Sequence, residues 1–378
     1  MSEKYLGQDL IFIISLPRSG STLLQRVLAG HPDIGASSEP WILLHQAYGR
    51  SQQGIFTDYG TDWSSLGVNE FISHYTDGDE VYDDAVRAFA KTIYSNAMHK
   101  AGVRRFIDKT PRYVMIMPDL LRWFPQAKFI FLIRNPLSVL ASIINTQIDH
   151  DLTTLERFGP ELLSGPQAIL SGIRHLGEQA IVVSYEKFVA QPEVELASVC
   201  DKVGIEFQAE MLNYTQSSEL KGHMQDRTGV KQYSRPVQGR TDGWKDILSD
   251  PQQLEFARGF LADMGADLVN QLGYDFDELN DTVRAASERN RPHGHIYPWN
   301  VAILTPERKK GRDQMHVILY RSIRDHGPFL GRLKSWVHFM HRLIKTLQFT
   351  FGRAKSRPEE VAEFENAQSD SEKKPIFR

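Results

Sequence analysis

The chain has 378 residues, 41% of them hydrophobic, and a net charge of −3, enough for one large α/β domain with an appendage. Its single cysteine, Cys200, excludes an internal disulfide, and no Cys/His spacing reads as a zinc site, which suits a reducing compartment. The opening MSEKYLGQD has no apolar signal core, no run reaches the roughly 18 apolar residues that span a bilayer, and the near-neutral charge neither favours nor excludes nucleic acid.

The first element is the most informative. The apolar run at 10–14 predicts a buried strand, and Leu23, Leu24, Val27 and Leu28 share one face of a following helix. Between them lies the turn Ser15-Leu16-Pro17-Arg18-Ser19-Gly20. Strand, tight loop and helix N-terminus form a phosphate cradle, because the first N–H groups of the helix lack internal partners and the dipole is positive there. The loop departs from the nucleoside-triphosphatase pattern. Ser15 stands where its first Gly would be, Gly20 fits, Ser21 replaces the Lys, and Thr22 keeps the hydroxyl. The cation is Arg18, whose planar guanidinium suits bidentate contact with phosphate or sulfate oxygens.

The stretch PRSGSTLL after an N-terminal strand resembles the 5′-phosphosulfate loop of the sulfotransferases, above all the branch with tyrosylprotein, glycan and many bacterial enzymes. The resemblance implies that Pro17, Arg18, Ser19, Gly20, Ser21 and Thr22 bind the donor 3′-phosphoadenosine 5′-phosphosulfate (PAPS). Pro32 closes the first helix, and Glu39 follows on a connection that must return toward the cradle. The matching glutamate of the family is the general base, and a carboxylate is the right group to take a proton from an attacking hydroxyl. Helix capping ahead of Trp41 is the plainer reading of Glu39.

Residues 45–80 read as an irregular, polar and aromatic insertion, a place for an acceptor cleft. Residues 81–101 read as a helix with Val86, Phe89, Ala90, Ile93, Ala97 and Met98 buried. A short strand then ends in Asp108-Lys109-Thr110-Pro111, where side chains point into the ligand crevice of a parallel sheet, and a helix spans 114–124. The motif resembles the family's second lysine motif, which implies that Lys109 neutralises the departing sulfuryl oxygen. Residues 128–133 form a continuous apolar strand ending in Arg134-Asn135-Pro136, and a helix spans 136–147 with proline at its start. Arg134 and Ser142 resemble the family's 3′-phosphate motif. A magnesium-dependent kinase would instead end a strand in Asp to hold its metal.

Residues 150–178 suggest two short helices and loops, 181–186 another strand, and 192–203 a helix. The pair Tyr185-Glu186 resembles a family element, which makes Tyr185 a wall of the donor pocket; a strand-end tyrosine with a bonded hydroxyl is the alternative. Residues 216–244 turn polar, and Gly239-Arg240-Thr241-Asp242-Gly243-Trp244-Lys245 resembles the family's segment over the donor. That likeness implies donor contacts for Arg240, Trp244 and Lys245, with the choice among Arg235, Arg240 and Lys245 open. A helix at 251–272 would close the domain.

The expected fold is α/β: a P-loop-type three-layer domain with a central parallel sheet flanked by helices (1–279), a linker (280–306), a basic amphipathic helical extension (307–353) and a charged tail (354–378). The extension carries an apolar stripe over 329–351 among Arg and Lys residues, which can meet an anionic membrane, a partner or its own domain. The functional expectation is a cytoplasmic sulfotransferase, peripheral at the inner membrane surface if that stripe meets lipid. It would use PAPS without metal, act on a carbohydrate or lipid hydroxyl and bind no nucleic acid. A P-loop kinase and a non-catalytic membrane-recruited scaffold are the alternatives.

Overall fold

The apolar runs pair as a parallel sheet. The structure, a computed structural model, describes residues 4–51, 59–148, 152–213, 236, 241–289, 296 and 298–303. Arg235, Arg240, the stripe at 329–351 and the tail lie outside them. The chain begins with strand β1 (Leu10–Ser15), buried throughout, and helix α1 (Ser21–Leu28). Strand β2 (Ile34–Ala36), helices α2 (Leu44–Tyr48), α3 (Thr61–Tyr75) and α4 (Asp79–Ala101), and strand β3 (Arg105–Asp108) follow. A 3-10 turn, Pro111–Ile116, runs into α5 (Met117–Trp123), then come β4 (Lys128–Ile133) and α6 (Pro136–Gln147). After a 3-10 turn at Leu152–Phe158 come α7 (Gly159–Leu176), β5 (Ile181–Ser184), α8 (Tyr185–Ala190) and α9 (Pro192–Val203). Helices α10 (Pro251–Gln271) and α11 (Phe276–Arg289) complete the layer, with a short α12 (Trp299–Ala302).

The strand order is β2-β3-β1-β4-β5, all parallel. The chain leaves β1 toward β3 and β2, then returns to place β4 on the other side. That reversal opens a crevice at the carboxyl ends of β3, β1 and β4. Alternation along β1 divides the core: Leu10, Phe12 and Ile14 face α4–α7 and α10, whereas Ile11 and Ile13 face α1, α8 and α9. The expected three-layer α/β architecture is present.

Several local expectations are corrected. The stretch 45–80 contains helices α2 and α3. On α4, Val86, Ala90 and Met98 are buried as expected, but Phe89 and Ile93 are exposed and Tyr94 takes the core position. Asp83 and Arg87 are buried instead of an aliphatic pair. Asp83 accepts the Trp123 indole N–H at 2.7 Å, and Arg87 donates to the Trp123 carbonyl at 2.9 Å. The stretch 159–176 is one helix despite Gly165 and Pro166. A β-carbon at Gly165 would stand 2.5 Å from Leu16 Cδ2, so the glycine admits the loop side chain against the helix. The strand expected at 181–186 ends at Ser184, and Tyr185-Glu186 begin α8. Of the linker expected at 280–306, residues 280–289 are the last ten of α11, which buries Leu279, Val283 and Ala286.

Candidate active site at the carboxyl ends of the strands

The loop after β1 owes its shape to two left-handed residues. Arg18 has φ 65° and Gly20 has φ 92°. Gly20 is also required by space, since a β-carbon there would meet Tyr185 Cε2 at 2.4 Å. No side chain caps α1, and its first turn holds no acid. Gly20, Ser21 and Thr22 therefore present an uncapped, electropositive helix end. Pro17 and Ser19 complete the loop, with Ser19 buried and its N–H donating to the Leu16 carbonyl at 3.3 Å.

Arg134 reaches this loop from the end of β4. Its Nη1 donates to the Arg18 carbonyl at 2.8 Å, and its guanidinium carbon lies 4.3 Å from the Tyr185 ring centre. Arg134 Nε is buried without a hydrogen-bond partner among the described residues. Ser142, two turns along α6, accepts Arg18 Nε at 3.2 Å. Arg18, Arg134, Ser142 and Tyr185 thus converge at one end of the sheet. Tyr185 reaches the site from the first turn of a helix, with its ring between Gly20 and Arg134.

Glu186, a residue to which the sequence reading gave no role, braces the same turn. Its carboxylate accepts the Asn135 N–H at 3.0 Å, the Tyr274 hydroxyl at 2.7 Å and the Ser184 hydroxyl at 3.3 Å. Asn135 in turn caps α6 by accepting from the N–H groups of Leu137 and Ser138. The chain between Arg134 and Ser142 is held from both sides.

The second half of the site lies beside β3. Lys109 Nζ donates to Glu39 Oε1 at 2.8 Å, with side chains 2% and 16% exposed. Glu39 Oε2 accepts the Trp41 indole N–H at 3.1 Å. The Glu39 segment is tied to α1, where Gln25 Nε2 donates to the Ser37 carbonyl at 2.7 Å. The guanidinium of Arg112 covers the Trp41 ring at 5.5 Å, and it pairs with buried Glu161 at 2.8 Å. Glu39 therefore meets Lys109 rather than capping a helix.

Trp244 is buried in the core beside α6 and α10, which leaves no open face for stacking. Lys245 pairs with Asp242 at 3.3 Å on the surface. Among the described residues there is no cluster of metal ligands, and no helix is long and apolar enough to cross a membrane.

Residues 9–209 match the sequence profile of the sulfotransferase family, more than half of the chain. The chain belongs to that family, and so to the transferases. Among individual relatives it is similar to the nodulation protein NoeE of Sinorhizobium fredii (strain NBRC 101917 / NGR234), with 32% identity over 295 residues, 70% of this chain and 66% of that protein. It is also similar to the protein-tyrosine sulfotransferase of Drosophila melanogaster, with 26% identity over 207 residues, 50% of this chain and 39% of that protein. Among solved structures, the sulfotransferase domain from the curacin biosynthetic pathway aligns with a TM-score of 0.46 and 22% identity, covering 75% of this chain and 98% of that domain.

Proposed function

We propose that the chain transfers a sulfuryl group from PAPS to the hydroxyl of a carbohydrate or lipid acceptor, with Glu39 as general base. The observation that carries this is the buried Lys109–Glu39 pair beside a phosphate loop on which Arg18, Arg134 and Ser142 converge. The residues present suit the donor. Arg134 Nε is a buried donor without a partner among the described residues, the α1 terminus is uncapped, and Ser142 accepts from Arg18 and keeps its own proton for a phosphate oxygen.

PAPS supplies an activated sulfuryl group. The acceptor oxygen forms a bond to sulfur as the bond from sulfur to the 5′-phosphate oxygen breaks, and adenosine 3′,5′-bisphosphate (PAP) leaves. Glu39 takes the acceptor proton. Arg18 and Lys109 hold the negative charge of the sulfuryl and 5′-phosphate oxygens, while Arg134 and Ser142 hold the 3′-phosphate. The work is positioning and electrostatics, and no metal is needed. The kinase alternative fits poorly. β4 ends in Arg134, and the acid at the end of β3, Asp108, is fully buried with three hydroxyls on its oxygens.

The apolar stripe among Arg and Lys residues at 329–351 suits peripheral contact with an anionic membrane surface, which favours a lipid or carbohydrate acceptor and a cytoplasmic site of action. Calorimetric titration with PAP, ADP and Mg·ATP tests the donor. Tight binding that needs the 3′-phosphate is expected, and binding of Mg·ATP alone would overturn the reading. Glu39→Gln is expected to abolish turnover while PAP binding survives; full activity would remove Glu39 as the base.

A further inference from the structure

Asp108 is the most deeply buried acid near the site, and no step of the transfer uses it. Its carboxylate sits at the end of β3, one residue before Lys109, with no exposed surface. Three hydroxyls donate to it. Thr110 Oγ1 reaches Oδ1 at 3.1 Å, Tyr113 reaches Oδ2 at 2.8 Å, and Tyr94 reaches Oδ2 from α4. Burial pushes the Tyr94 and Tyr113 hydroxyls well above their ordinary titration range, so they keep their protons.

Two of these hydroxyls have a second partner. Thr110 Oγ1 accepts the Trp41 backbone N–H at 3.4 Å, and Tyr113 accepts the Leu43 backbone N–H at 3.3 Å. Each hydroxyl has one proton. With that proton given to Asp108, its lone pairs are left facing the amides. The ionised carboxylate, which can only accept, and the amides, which can only donate, together fix the polarity of both bridges. Those bridges hold the segment that carries Glu39. Trp41 lies in the left-handed region with φ 59°, a conformation that costs a non-glycine residue free energy unless its surroundings impose it. The same Trp41 donates its indole N–H to Glu39.

We infer that Asp108 is the positioning residue for Glu39: through Thr110 and Tyr113 it orients the backbone of Trp41 and Leu43, and through the Trp41 indole it aims the Glu39 carboxylate. The inference rests on the proposed role of Glu39, and it extends that role to a residue that touches neither donor nor acceptor.

Asp108→Asn keeps the shape and exchanges one accepting oxygen for a donating NH2. That group faces hydroxyl oxygens, so at least one hydroxyl must accept from it and turn its own proton away, which re-aims its bridge to the backbone amide. Turnover with PAPS is expected to fall about ten- to a hundredfold, the scale of a small misplacement of a catalytic group. PAP affinity is expected to stay within about twofold, because the Arg18–Arg134–Ser142 cluster is untouched. Tyr113→Phe removes one bridge and keeps the charge, and a smaller loss is expected.

The second readout does not depend on activity. In protein labelled with ¹⁵N at its six tryptophans, the Trp41 indole resonance is assigned by its disappearance in Trp41→Phe. It is expected to move in Asp108→Asn. A moved resonance with unchanged turnover supports the positioning of the segment and counts against Glu39 as the base. An unmoved resonance overturns the inference, whatever happens to turnover.

Discussion

The burial of Asp108 has a consequence for stability that runs opposite to its consequence for activity. Desolvation pushes its carboxyl from 3.8 up to about 6, against the pull of the three hydroxyls and of Lys109. An acid whose folded pKa is raised binds its proton more tightly in the native state than in the unfolded chain. Its stabilising contribution is then full below the unfolded pKa and is lost as pH rises through the folded one. Two pK units at 1.36 kcal/mol each make the ionised carboxylate cost about 3 kcal/mol at neutral pH. Between pH 5 and 7.5 the loss from this one group amounts to about 1 kcal/mol.

Every other titrating group contributes to the slope as well, so the informative quantity is a difference. Urea unfolding of the wild type and of Asp108→Asn, from pH 5 to 7.5, should give stability curves that diverge. The wild type should lose about 1 kcal/mol more than the variant over that window. The asparagine protein should be relatively most stable at the alkaline end, where it is expected to be the poorer catalyst. Parallel curves would show that Asp108 does not change charge in this range, and would refute the reasoning.

Two further substitutions address the donor half of the site. Arg134→Ala should weaken PAP binding by about tenfold or more, because a charge-assisted contact to phosphate is lost. It should change the affinity for adenosine 5′-phosphate by less than about threefold, since the selective contact is gone from both sides of the comparison; equal losses in calorimetry would remove Arg134 from the 3′-phosphate. Gly20→Ala combines a left-handed φ of 92° with a β-carbon only 2.4 Å from the Tyr185 ring. Donor affinity should fall while the far-UV circular dichroism stays unchanged, and a variant with wild-type affinity would show that the ring does not fix the loop.

Much of the frame was legible in the sequence because it is local. β4 and α6 occupy the expected 128–133 and 136–147, since a continuous apolar run and a proline at a helix start are signals read residue by residue. Arg18, Lys109 and Arg134 were legible as polar residues standing where a strand ends. The buried face of α4 was not. Phe89 and Ile93 outrank Asp83 and Arg87 on any scale of hydrophobicity, yet the charged pair is inside because Arg122 and Trp123 of α5 satisfy it. A partner some forty residues away leaves no mark on the local pattern. Helix α3 escaped for the converse reason: Trp63, Phe71 and Tyr75 are exposed, so its apolar residues do not trace a core-facing stripe.

The same distinction separates the residues that would do chemistry from those that hold them. Glu39 and Lys109 lie 70 positions apart in the chain and meet at 2.8 Å because β2 and β3 are neighbours. Asp108, Thr110 and Tyr113, from one six-residue stretch, and Trp41, from the segment after β2, build the support for that meeting. Each has an ordinary local explanation: a strand-end acid, a core tyrosine, a residue before proline, an aromatic after proline. Only the directions of the hydrogen bonds join them, and those directions depend on a carboxylate that accepts and cannot give. Burial of the Asp108 carboxylate is penalised by desolvation, so its charge is a cost to stability at neutral pH. The cost of keeping the acid is intelligible if the polarity it imposes is what holds the Glu39 segment in its strained conformation.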